Sequence, residues 1–365
     1  MKLLVQLCRF VVGGVFVFSG LIKLNDPVGT QIKLEEYFDV FAQDFVALAP
    51  FWEALIPLAL PLSVALCSLE VVLGVALLLS FRPRLTAWVL LALCVFFAFL
   101  TFYSAYFNKV TDCGCFGEMI KLEPWTSFWK DIVLLVLILV LLAGRRYLPE
   151  NRTGRWVAVA TVGCLLLGVY AVRYLPPFDG LAYAIGQNIP ANRKPSAPLR
   201  FKYVVTKSGQ EYEFEQYPTE AGYTFKEMIP LNPEANPRIT DYRMWTDEGD
   251  FTEESFQGAH LFVVVQDVKK ASTGSLDAIR ALARSLEGTA VRPALLTSSS
   301  GDAVNQFRHE HQLSIPFYYA DYKVLKTIVR SNPGLWLIVD GTVRGKWSYA
   351  AVPTKDEVLN RATSR

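Results

Sequence analysis

No cysteine follows position 164 in this 365-residue chain, and it contains only three histidines, His260, His309 and His311. The first absence removes thiol chemistry from everything beyond Cys164. The second leaves little to build a metal centre from, because the histidines show no supporting ligand spacing. Neither charge sign dominates: 36 Lys and Arg against 34 Asp and Glu leave a net charge of +2, which gives no argument for nucleic acid. There is no internal repeat, and no pair of interrupted apolar helices of the kind that marks a transporter. The apolar stretch at the amino terminus lacks the marks of a cleaved signal, since Arg9 interrupts it and no small-x-small site follows. Cys8 comes too early for a lipoprotein cysteine. The stretch is therefore expected to remain as a span.

Long hydrophobic runs, by contrast, are abundant before residue 176. Those at 54–80, 85–107, 131–148 and 156–175 approach or exceed the roughly 20 residues that cross a ~30 Å hydrocarbon core. A fifth, at 3–22, is clean only from Phe10 to Ile22. Orientation follows from the basic residues of the short loops. Arg82 and Arg84 lie between the second and third runs, and Arg145, Arg146, Arg152 and Arg155 between the fourth and fifth. Those loops are expected in the cytoplasm. Five spans of a bacterial inner membrane then put the amino terminus inside and everything after Leu175 in the periplasm. After the first run, Asp-Pro-Val-Gly at 26–29 reads as a turn. Leu34, Tyr37, Phe38, Phe41 and Phe45 share one face of a helix over 31–46. That helix is expected on the outer interface, although the same face would serve a lid over the bundle.

From 176 the composition turns to proline and glycine, as in a linker or irregular collar. "LRFKYVVT" and "QEYEFEQY" read as a hairpin across Lys-Ser-Gly. Beyond it, "HLFVVVQD", "SLDAIRALARSL", "RPALLTSS", a helix near 301–312, "IPFYYAD", "VLKTIVR", "GLWLIVDG" and "TVRGKWSY" alternate strand and helix before an antiparallel finish. This is α/β order. Residues 239–360 resemble the thioredoxin-like fold in its membrane-tethered extracytoplasmic branch. The resemblance makes Pro333, in "SNPGLWLIVDG", the candidate for the cis-proline beside a partner-binding groove. It also places a Cys-x-x-Cys where this chain reads "VKKASTGS", so a redox centre is excluded there and docking remains.

In the first half, "FVFSGLIKLNDPVG", a glutamate inside the second span and "DCGCFG" before "PWTSFWKD" occur in the order found in DoxX-like and MauE-like (methylamine utilization) membrane proteins. The resemblance covers about 1–145. It implies a four-helix bundle with a respiratory-chain or extracytoplasmic thiol redox role, and for the MauE-like members a thioredoxin-like partner. The whole arrangement resembles Bacteroidetes-type DoxX family proteins carrying such a fusion. The expected organisation is a DoxX/MauE-like bundle at 1–148, a fifth transmembrane helix with its flanks at 149–180, a linker and β-hairpin extension at 181–238, and a thioredoxin-like α/β soluble domain at 239–365.

Cys67, Cys94 and Cys164 lie mid-span, where cysteine behaves as a small apolar side chain, and Cys8 lies in the inner half of the first span. Cys113 and Cys115, in "TDCGCFGEM", fall in the loop after the third span, on the side where disulfides persist. Cys67 sits about a dozen residues down its helix, roughly 18 Å, so the loop pair have mainly each other. A bridge across one glycine closes a tight, easily reduced ring. A redox pair, an inert staple and half a metal site all remain open. Glu70 is the other candidate, because a carboxylate within a span must be paired, protonated or beside a polar cavity. It reads as a quinone-facing or proton-handling group, or as a packing hydrogen bond. Lys23 is a candidate partner for an acid, and Lys130–Asp131 reads as interfacial anchoring beside Trp125 and Trp129. Two functions compete: an inner-membrane thiol/disulfide or quinone-linked redox component, and a non-enzymatic scaffold whose thioredoxin-like domain docks a partner. The redox reading expects a quinone as cofactor, and the scaffold reading expects none. Partners are membrane lipid and an extracytoplasmic thioredoxin-like or other thiol protein.

Overall fold

The computed structural model describes residues 1–110, 122–207 and 209–364. The chain divides into two compact units, Met1–Leu181 and Ala182–Arg365.

The first unit is helical. Helix α1 (Lys2–Asn25) is followed by α2 (Pro27–Asp44), the short α3 (Ala49–Leu55), α4 (Ala59–Leu78), α5 (Pro83–Phe107), α6 (Pro124–Ala143) and α7 (Gly154–Tyr174). Among the described residues, five segments are long and apolar enough to cross a membrane: α1, Val46–Leu78 ending in α4, α5, α6 and α7. This part of the chain is membrane protein. Helix α1 packs along α4 and α5 along α6, while α7 lies against α4. The α1–α4 contact is close because Gly74 faces the α1 backbone: a Cβ there would lie 2.8 Å from the Gly13 carbonyl oxygen and 2.9 Å from the Val17 nitrogen.

Asp-Pro-Val-Gly is more than a turn. Asp26 ends α1 and caps α2, its carboxylate accepting from the Gly29 N–H at 3.0 Å, and Pro27 takes the first helical position, where no N–H is needed. Helix α2 is the packed lid: Leu34, Tyr37, Phe38 and Phe41 are buried against α3, α4 and α5, whereas Phe45 is exposed. The apolar face read from the sequence is real, but it is turned to protein.

The second unit contains α8 (Ile189–Asn192) and a three-stranded antiparallel sheet of β1 (Phe201–Lys207), β2 (Gln210–Phe214) and β3 (Thr224–Pro230), ordered β2-β1-β3. The expected hairpin thus gains a third strand. A seven-stranded sheet follows, built from β4 (Trp245–Thr246), β5 (Gly249–Asp250), β6 (Ala259–Val265), β7 (Val291–Thr297), β8 (Phe317–Tyr319), β9 (Gly334–Val339) and β10 (Thr342–Ser348). Its order is β10-β9-β6-β7-β8-β4-β5. Strands β6, β7 and β8 run parallel, while β9 and β10 close the other side antiparallel. The parallel crossovers carry α9 (Leu276–Ser285) and α10 (Gly301–Glu310), and α11 (Tyr322–Ile328) leads back to β9. Helix α12 (Lys355–Thr363) ends the unit.

The central strands β6 and β9 are apolar on both faces, as strands covered on two sides must be. Leu261, Val263 and Val265 pack with Leu276, Ile279, Leu282 and Val358 on one face. On the other, Phe262 and Trp336 meet Tyr183 and Tyr242, with Trp336 ring centroids at 6.1 and 6.0 Å from the two tyrosines. The Asn332–Pro333 peptide bond is cis.

Candidate functional site: a polar cavity inside the helix bundle

Helices α1, α2, α4, α5 and α6 line a cavity of about 70 Å³ that continues into open space at its mouth. Its apolar wall includes Phe16, Leu34, Phe97 and Leu134, and its polar wall Ser19, Lys23, Glu70, Thr101, Lys130 and Asp131. Glu70, the expected intramembrane carboxylate, is only 1% exposed and forms an ion pair with Lys23, which is itself buried at 6%. Ser19 adds a long hydrogen bond to the same carboxylate at 3.4 Å. Lys23 also lies 4.8 Å from the centroid of the Phe97 ring. Pairing is the physical requirement for keeping both charges among apolar helices.

Asp131, read from the sequence as part of an interfacial anchor, is 2% exposed; it accepts a hydrogen bond from Thr101 at 3.1 Å while Lys130 sits 3.0 Å from its other oxygen. Helix α6 starts at Pro124, so Asp131 lies about two turns inside it, on the face turned to α5. Two carboxylate–lysine pairs therefore line one cavity. For Asp131 the sign in the sequence is the Pro124 helix start.

The lid contributes hydroxyls and one more cation. Tyr37 and Ser104 share a hydrogen bond of 2.6 Å, Cys67 donates to the Thr30 hydroxyl oxygen at 3.7 Å, and Lys33 lies 3.1 Å from Glu36. Ser63 donates to the Pro27 carbonyl at 2.9 Å, fixing the start of α2 on α4. At the far end of α2, Asp44 accepts hydrogen bonds from Lys109 and Tyr103. These donors hold its carboxyl below the usual carboxylate range, the Lys109 bond contributing most. Val110, fully buried, packs with Tyr37, Phe41, Leu100 and Tyr103. The cavity thus lies toward the end where α1 and α5 finish and α6 begins.

Cys113 and Cys115 lie outside the described residues, in the connection between α5 and α6. Cys8, Cys67, Cys94 and Cys164 are buried free thiols, and Cys94 points its sulfur at the Asp131 carbonyl, 3.5 Å away. In the second unit, the Pro333 segment is tied to the loop after β6. The Asn332 side chain accepts from the Gln266 N–H at 3.0 Å and donates to the Asp267 carbonyl at 2.8 Å, and the Ser272 N–H reaches the Asn332 carbonyl at 2.9 Å. "VKKASTGS" and Pro333 are therefore neighbours. Beside them Asp267, Lys269, Ser299 and Tyr322 border an open cleft.

The arrangement defines a polytopic helical membrane protein with a polar cavity between its helices, joined to a sheet-based unit. Residues 1–144 match the family model described as methylamine utilisation protein MauE, which takes in α1 to α6 and every residue lining the cavity. No curated protein matches the chain.

Proposed function

We propose that the chain is an inner-membrane redox component that passes electrons between an extracytoplasmic thiol protein and a membrane quinone. Cys113 and Cys115 are its exchanging pair and Glu70 its intramembrane carboxylate. The observation that carries this reading is the cavity with its two buried carboxylate–lysine pairs, lying toward the end of the bundle where the cysteine-bearing connection leaves α5. Oxidation of the pair breaks two S–H bonds, forms one S–S bond and releases two electrons and two protons. A quinone takes up both and becomes the quinol.

The arginines between α4 and α5 and between α6 and α7 support a cytoplasmic position for those connections, and hence a periplasmic one for the second unit. The strand order of that unit, with parallel β6, β7 and β8 beside antiparallel β9 and β10, supports a thioredoxin-like reading. Without a cysteine, such a domain docks the thiol partner at the Pro333 groove and leaves the chemistry to the bundle. Acid trapping of thiols in intact cells tests the proposal. A mixed disulfide that disappears in Cys113→Ser is expected. An internal Cys113–Cys115 bridge inert to physiological reductants would overturn it in favour of a scaffold that docks a partner without exchanging electrons.

A further inference from the structure

The charge balance of the cavity decides what can enter it. Lys23 is matched by Glu70, Lys130 by Asp131 and Lys33 by Glu36. An ionic ligand would bring an unmatched charge among Val15, Phe16, Leu34, Phe97 and Leu134, where its desolvation is not repaid. A neutral molecule meets no such barrier. The polar side carries three ammonium groups, each with three N–H donors, so it suits a ligand whose polar atoms accept hydrogen bonds. The apolar side includes the Phe97 ring and several leucines, suited to a flat ring and the start of a hydrocarbon tail.

We propose that this cavity holds the head of a lipid-soluble quinone, with one carbonyl oxygen toward Lys23–Glu70 and the other toward Lys130–Asp131. Asp131, steadied by Thr101, then contacts the substrate opposite Glu70. The inference rests on the redox reading for the ligand being a two-electron carrier, but the site is defined by the bundle alone. On reduction each carbonyl oxygen gains one O–H bond. The two electrons come from the dithiol, and the two carboxylate–lysine pairs relay one proton to each oxygen.

The test uses the full chain in lipid nanodiscs and a short-tailed aryl-azide ubiquinone analogue, with photolabelled positions mapped by mass spectrometry. Label is expected within 16–23, 30–37 and 130–134, displaced by unlabelled short-tailed quinone. Thr101→Val keeps both charges but removes the hydroxyl on Asp131, and is expected to weaken saturable labelling about tenfold. Val95→Ala, on an outward-facing position 52% exposed, is expected to leave it unchanged. Label confined to outward residues such as Val95, Phe99 and Leu139, or label that unlabelled quinone fails to displace, overturns the site. Because the readout is binding without turnover, the site stands or falls separately from thiol exchange: cavity labelling with no mixed disulfide sinks the redox reading alone, and the reverse sinks the cavity.

Discussion

Lys23 and Glu70 each stand where a lone charge would be costly, and together they are tolerable. Removing one partner from such a pair costs about 3–5 kcal/mol because the other is left buried and unmatched, whereas replacing both with apolar side chains costs far less. Glu70→Ala and Lys23→Ala should therefore each lower the melting temperature of the protein in detergent well below that of Lys23→Met combined with Glu70→Met. Asp44 makes the pH-dependent case. Its folded carboxyl sits below the ordinary value of 3.8, so its contribution is complete above that value and is lost as pH falls through the lower, folded one. Hydrogen exchange at the end of α2 should rise on acidification below about pH 4. In Asp44→Asn it should be raised already at neutral pH and respond little to acid. Glu70 was legible because a single carboxylate interrupts an otherwise apolar run. Asp131 was not, because its neighbours Lys130, Trp125 and Trp129 are what an interface also displays, and only the start of α6 and the direction of its inward face separate the two cases.

Helices meet their neighbours through what they lack as much as through what they carry. At Gly74 a methyl group would strike backbone atoms of α1, while at Gly14 it would meet nothing within 4 Å. Gly74→Ala should destabilise the bundle by about 1–3 kcal/mol in a denaturant titration, and Gly14→Ala should leave it unchanged or slightly more stable. The periodic face of α2 was readable from five aromatic and leucine positions, but a face does not name its partner, and lipid and protein reward the same residues. Strand β3 escaped for the opposite reason: every residue in it is exposed, so no alternation of apolar and polar side chains marks it. Its pairing with β1 comes from backbone hydrogen bonds, with a bulge between Val204 and Val205.

Across the whole chain, the order of strands and helices from 259 onward was legible because β6 and β9 are near-continuous apolar runs and the amphipathic α9 lies between β6 and β7. Their pairing, β9 antiparallel beside β6 and distant from β8, depends on contacts between segments some seventy residues apart in sequence, which no local pattern encodes. The two compact units lead to a prediction about sidedness. A reporter active only outside the cytosol, fused after Arg365, should report activity, and one placed between α4 and α5 should not; the opposite pattern would reverse the orientation argued from the arginines. Finally, the pairing of each ammonium around the cavity with a neighbouring carboxylate has an electrical corollary. Displacing one unbalanced elementary charge through a 100 mV potential involves about 2.3 kcal/mol, but a balanced pair moving as a unit presents the field with almost nothing to pull on. Rearrangements of this interior should proceed at the same rate in energised and de-energised vesicles.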